Sequence, residues 1–175
     1  VLLDFIWYFH LDKDIEENLL PKGFPVAYGN LYSSHFPRYE SRIRQEGMIP
    51  GLSAHMPELI TYSDDNGYDV ETYIQIYNCM GFLMQVEVEG VHRIIHEAKK
   101  PVMTIKSMAA GRVSPFVGLN FSWNTIRPCD MVTVGCFDPE EAEEDIEISL
   151  AAIERRRPNL ERRASLNANQ DVFGK

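Results

Sequence analysis

The chain has 175 residues, 45% of them hydrophobic and 25% charged, with a formal net charge of −9. That length supports one domain with its own core, and the composition is that of an ordinary globular protein. The acidic balance excludes a nucleic-acid surface, which needs a basic stripe, and reads as a solvated outer layer of helices.

Cys79, Cys129 and Cys136 are scattered without CxxC spacing, which fits a reducing compartment better than a disulfide framework. No secretory signal is visible, and the apolar run Val1–Phe9 is too short to span a bilayer, so a cytoplasmic protein with no membrane partner is expected. The first residue is Val1, at the head of an apolar run, which reads as a start inside a longer protein.

In chain order, Leu2–Phe9 reads as a strand, Asp12–Leu20 as a short helix capped by Asp12, and Pro25–Tyr28 as a second strand. Arg38–Glu46 is then the helix leading into Met48. A rival reading makes Lys22–Pro37 one long loop, which lowers the count from six βα units to five. From Met48 the pattern is regular. Met48–Ala54 is an apolar strand, followed by a helix over Pro57–Asp65 with proline in its first turn and Gly67 beyond its end. Val70–Tyr77 is β-branched and aromatic, hence a strand. Gln85–Lys99 places Val88, Val91, Ile94, Ile95 and Ala98 on one helical face. Pro101–Ile105 is a strand, Phe116–Ile126 a helix stopped before Pro128, Met131–Val134 a strand, and Pro139–Arg156 a long helix. The last helix opens on Glu140, Glu141, Glu143 and Glu144, which suit the positive end of its dipole. Pro158–Lys175 is polar and reads as a tail, leaving 1–157 as the folded unit.

Strands that are near-continuous apolar runs, alternating with amphipathic helices, predict an α/β fold with a parallel sheet covered by helices. A doubly wound sheet and a closed barrel satisfy this pattern equally.

In parallel α/β folds, ligands bind beyond the carboxyl ends of the strands. The residues there are Ser53 and His55, then Gln75, Asn78 and Cys79, then Lys106, Ser107 and the small run Ala109-Ala110-Gly111 before Arg112, and finally Gly135, Cys136 and Asp138. The small run lets backbone amides approach a phosphate that Lys106 and Arg112 would neutralise. The bland alternative is a plain turn at Gly111 and a surface charge at Arg112. His55 directly follows a strand, which suits either a pocket or a structural hydrogen bond. His92 and His96 have the four-residue spacing of metal ligands, with Glu89 one turn earlier, but that helix should face outward; a solvent-facing pair is the reading, and no metal is expected. Asp64 and Asp65 read as a solvated helix face. No Gly-x-Ser-x-Gly elbow, Walker loop or GxGxxG occurs.

Four stretches, in order, resemble the last four strands of the aldo-keto reductases. Met48-Ile49-Pro50-Gly51-Leu52-Ser53-Ala54-His55 is similar to that family's fifth strand, and Tyr68 through Asn78 to its sixth. Lys100 through Arg112 looks like the seventh strand and its loop, and Val132 through Glu141 like the eighth. The resemblance covers Met48 to about Ile153. It implies the C-terminal portion of a (β/α)₈ barrel, five or six βα units long, that needs either the missing N-terminal part of the barrel or a partner to cover its cut edges.

It also implies an oxidoreductase acting on a small-molecule carbonyl or alcohol substrate with NADP or NAD. Ser53 and Gln75 would contact the nicotinamide carboxamide, and Lys106, Ser107, Gly111 and Arg112 would line the pyrophosphate. Gly135, Cys136 and Phe137 would face the adenosine end, His55 and Asn78 the substrate pocket, and His10 would be the catalytic histidine. The departures are Ala54 where the family has asparagine, Asp145 where it has asparagine in the last helix, and acids over Glu140–Glu144 where a base grips the 2′-phosphate. Two other functions fit the pattern: a non-redox isomerase or lyase on a phosphorylated small molecule, and a catalytically silent barrel used for binding.

Overall fold

The computed structural model describes residues 36–160. The expected strands Leu2–Phe9 and Pro25–Tyr28, the helix Asp12–Leu20, the candidate His10 and the tail from residue 161 lie outside the described residues. The elements run α1 (Phe36–Gln45), β1 (Gly51–Ala54), α2 (Glu58–Asp65), β2 (Thr72–Ile76), α3 (Val88–Glu97), β3 (Val102–Ile105), α4 (Pro115–Thr125), β4 (Met131–Val132) and α5 (Pro139–Glu154).

The strands form one sheet in the order β1-β2-β3-β4, with every pairing parallel. The register aligns Leu52, Tyr73 and Val102 in one row and Ser53, Ile74, Met103 and Met131 in the next. Adjacent rows point to opposite faces. The first row packs in one cluster with Leu59 and Ile60 of α2, Val91 and Ile95 of α3, and Phe121 of α4. The three helices that connect the strands therefore all return over the same face. The chain is an α/β domain whose parallel sheet is wound on one side in sequence order.

Local chemistry explains the elements. All five β2 residues are buried, as the β-branched and aromatic composition of Thr72–Ile76 requires of a central strand. β1 lies tight against it at Gly51, where a Cβ would come within 2.9 Å of Thr72 Cγ2 and 3.2 Å of Thr72 O. α4 starts at Ser114, whose hydroxyl accepts from Val117 N at 3.4 Å, with proline in the first turn. It presses on the preceding loop at Gly118, where a Cβ would meet Ser107 O at 2.6 Å.

Most boundaries shift by one to three residues from the sequence reading, and two of the shifts have a local cause. β4 ends at Val132 instead of Val134, because β3 ends at Ile105 and Lys106 turns away with φ 62°, leaving Val134 no strand to pair with. α3 starts at Val88 instead of Gln85, since Glu87 immediately before it has an extended ψ of 153° that lies outside the helical range.

The amino ends of the strands are held by two buried carboxylates. Asp130, its side chain 0% exposed, accepts from Val102 N at 2.8 Å and pairs with Arg127 at 2.7 Å. The Arg127 guanidinium also donates to Lys100 O at 2.8 Å and to Ala98 O. Asp64 is not the solvated acid that its neighbour Asp65 suggests. It is buried, accepting from the Tyr73 hydroxyl at 2.6 Å and from Lys99 N at 2.7 Å. Burial, with the Asp64 carboxyl as the next influence, raises the Tyr73 pKa above the ordinary phenol range.

Removing one partner of a buried pair strands the other charge. Asp130→Ala is therefore expected to destabilise the fold by about 3–5 kcal/mol in urea unfolding. Asp65→Ala, at an exposed position of α2, should stay within about 0.5 kcal/mol of the parent. Equal small effects at both positions would refute the role given to Asp130.

Candidate functional site

Parallel pairing brings the carboxyl ends of β1 to β4 to one rim of the sheet, opposite the Asp64 and Asp130 networks. The loops that leave this rim carry most of the candidate residues.

The loop after β3 holds the most unusual backbone. Lys106, Ala109 and Ala110 have φ of 62°, 49° and 55°, and Gly111 follows at 79°. Each non-glycine residue held there costs about 1–3 kcal/mol, so surrounding contacts must hold the conformation in place. Those contacts are Ala109 N to Lys106 O at 2.8 Å, Val113 N to Met108 O at 3.1 Å, and the complete burial of Ala109. The amides of Ala110 and Gly111 donate to no group among the described residues, and both residues are exposed. Lys106 and Arg112, also exposed, bracket them. Exposed amides without an acceptor among the described residues, flanked in sequence by two cations, are groups suited to an anion.

The rim loops touch one another. The Arg112 guanidinium donates to Ala109 O at 3.1 Å and lies 4.1 Å from the ring centre of Phe82, in the loop after β2. That loop is organised by Asn78, which is fully buried. Its Oδ1 accepts from Met80 N at 3.2 Å and Phe82 N at 2.9 Å, while Nδ2 donates to Phe82 O at 3.0 Å. Asn78 thus shapes its own loop and does not present its amide to a ligand. His55, beyond β1, has its pKa lowered by burial first and by the Lys106 charge second. Lys106 therefore acts on His55 across the end of β2, although β1 and β3 are not neighbours.

The remaining candidates divide by face. Ser53 is half-buried in the row that points away from the helices. Gln75 pairs with Ala54, one residue further along, so the pleat turns it to the helix-covered face. It is 1% exposed there and donates to Ile76 O at 3.2 Å. A ligand on the face opposite the helices would meet Ser53 without meeting Gln75. Ser107 is buried and accepts from the Ser122 hydroxyl at 3.1 Å, joining the loop to α4.

Gly135, Cys136 and Phe137 are exposed beyond β4, Phe137 at 93%. The amides at the start of α5 already have anionic partners from the chain itself. Asp138 accepts from Glu141 N at 2.8 Å, and Glu141 accepts from Phe137 N at 2.8 Å. Asp138, Glu140, Glu141, Glu143, Glu144 and Glu147 line a groove there, where a phosphate would be repelled. Burial, and then the Asp145 carboxylate 3.6 Å away, raise the Cys136 thiol pKa. His92 and His96 stack with ring centres 4.2 Å apart, and His96 Nε2 lies 2.9 Å from Thr125 O. No cluster of His, Cys, Asp and Glu able to hold a metal occurs among the described residues.

Sequence reasoning did not single out Phe82, because an aromatic between Gly81 and Leu83 carries no signal of the cation above it. Arg127 and Asp130 were missed for a similar reason: their partners are backbone groups, which spacing does not reveal.

A depressed histidine pKa means that the unfolded state takes up the proton first as pH falls. His55 should titrate below its ordinary 6.5 in an NMR titration, and its contribution should cost stability as pH drops through that value. Lys106→Ala should raise the His55 pKa part of the way back, because burial is the larger cause. An unchanged His55 titration in that variant would show that the two groups do not interact.

No family model, curated protein or solved structure matches this chain.

Proposed function

We propose that the chain is part of a (β/α)₈-barrel enzyme that holds the phosphate of a small-molecule ligand at the loop Lys106–Arg112. One-sided winding in strict strand order supports the barrel, because a doubly wound sheet reverses its strand order and carries helices on both faces. The observation that carries the ligand assignment is the pair of undonated amides at Ala110 and Gly111, set between Lys106 and Arg112.

Joined to the aldo-keto reductase resemblance, this favours an oxidoreductase whose NADP or NAD diphosphate lies on that loop. The bound cofactor would supply the hydride. Ser53 would face the ligand from the side of the sheet opposite the helices, and His55, its pKa lowered by burial and then by Lys106, would stand at the substrate end of the rim. The loop fits a diphosphate; the start of α5, already capped by Asp138 and Glu141, does not fit a second phosphate such as the 2′-phosphate of NADP.

Two observations favour a second reading, a non-redox enzyme acting on a simple phosphate ester. Gln75 lies under the helices, and acids surround the expected adenosine end. Phosphate chemistry is common to both readings.

Thermal unfolding with NADH, NADPH, a sugar phosphate and inorganic phosphate separates them. A ligand at roughly 100 times its Kd should raise Tm by about 5–10 °C. Stabilisation by NADH supports the oxidoreductase, and stabilisation by the sugar phosphate alone supports the second reading. Lys106→Ala and Arg112→Ala should each remove most of the effect. Silence with all four ligands would remove the phosphate assignment.

A further inference from the structure

Phe82 and Arg112 sit on different rim loops, yet the guanidinium carbon lies 4.1 Å from the centre of the ring. An exposed arginine on a surface loop ordinarily samples many rotamers. Here the side chain is held at two points, by the ring beneath it and by its donation to Ala109 O at 3.1 Å. The backbone that carries the ring is itself held, since both backbone groups of Phe82 are tied to the buried Asn78 amide at 2.9 and 3.0 Å. Contact between the ring and the guanidinium carbon occupies none of the N–H donors as a hydrogen bond would. Of five N–H groups, one serves Ala109 O, and the others meet no acceptor among the described residues, which suits a planar or tetrahedral anion.

We infer that Phe82 is a positioning residue that presets Arg112 for anion capture, so that the loop after β2 sets the affinity of the loop after β3. The inference rests on the phosphate reading of that loop. It assigns Phe82 no contact with the ligand. Preorganisation of a charged side chain shows mainly as affinity, and a cation–π contact at a partly exposed site corresponds to about two- to fivefold in an equilibrium constant.

The test is calorimetric titration with inorganic phosphate of the parent, Phe82→Leu, Phe82→Tyr, Arg112→Ala and the double variant F82L/R112A. The expected result is a two- to fivefold weaker Kd for Phe82→Leu, as estimated above, with Phe82→Tyr restored to the parent value because its ring keeps the stacking face. In the Arg112→Ala background, Phe82→Leu should change nothing further, which a general loosening of the loop would not reproduce. Equal weakening by Phe82→Leu with and without Arg112 would overturn the inference, and so would parent-like binding by Phe82→Leu. If Arg112→Ala itself binds as the parent does, the phosphate reading falls, and the positioning role falls with it.

Discussion

Parallel pairing of four strands in sequence order is the constraint on which the rest of the molecule depends. It sends every amino end to one edge of the sheet and every carboxyl end to the other. The two edges then solve opposite problems. At the amino edge, Asp130 and Asp64 are buried with full sets of donors, and they join strand starts to helix ends. At the carboxyl edge, donors are left unmatched and the backbone is held in left-handed conformations. The left-handed backbone there is held by its own loop, through Ala109 N to Lys106 O, Val113 N to Met108 O and the burial of Ala109.

The electrostatics of the rim follow the same division. Lys106 and Arg112 stand at the loop after β3, while acids crowd the start of α5, beyond the next strand along the chain. A negatively charged ligand is drawn to the first and repelled by the second. The helix dipole of α5, which would otherwise attract an anion, is already matched by Asp138 and Glu141. Among the described loops of the rim, charge therefore favours the one after β3 over the start of α5 for an anion.

Much of this was legible in the sequence. The apolar runs and helical periodicity locate every strand and helix from β1 to α5 to within a few residues, because a buried parallel strand and an amphipathic helix each leave a periodic record. The small residues Ala109, Ala110 and Gly111 between two cations are equally visible. Side-chain facing was not. Gln75 follows the end-of-strand pattern as well as Ser53 does, and only the register Ala54 to Gln75 shows that the pleat turns it toward the helices. Asn78 looks available for a ligand until its amide is found within its own loop. The stacking of Arg112 on Phe82 joins positions that no periodicity relates.

The most direct measurement is an amide NMR titration with inorganic phosphate. The geometry requires the Ala110 and Gly111 resonances to move downfield together and to saturate, while those of Gly135, Cys136 and Phe137 stay in place. Movement confined to the start of α5, or none at Ala110 and Gly111, would contradict the central claim that the loop after β3 is where this protein receives an anion.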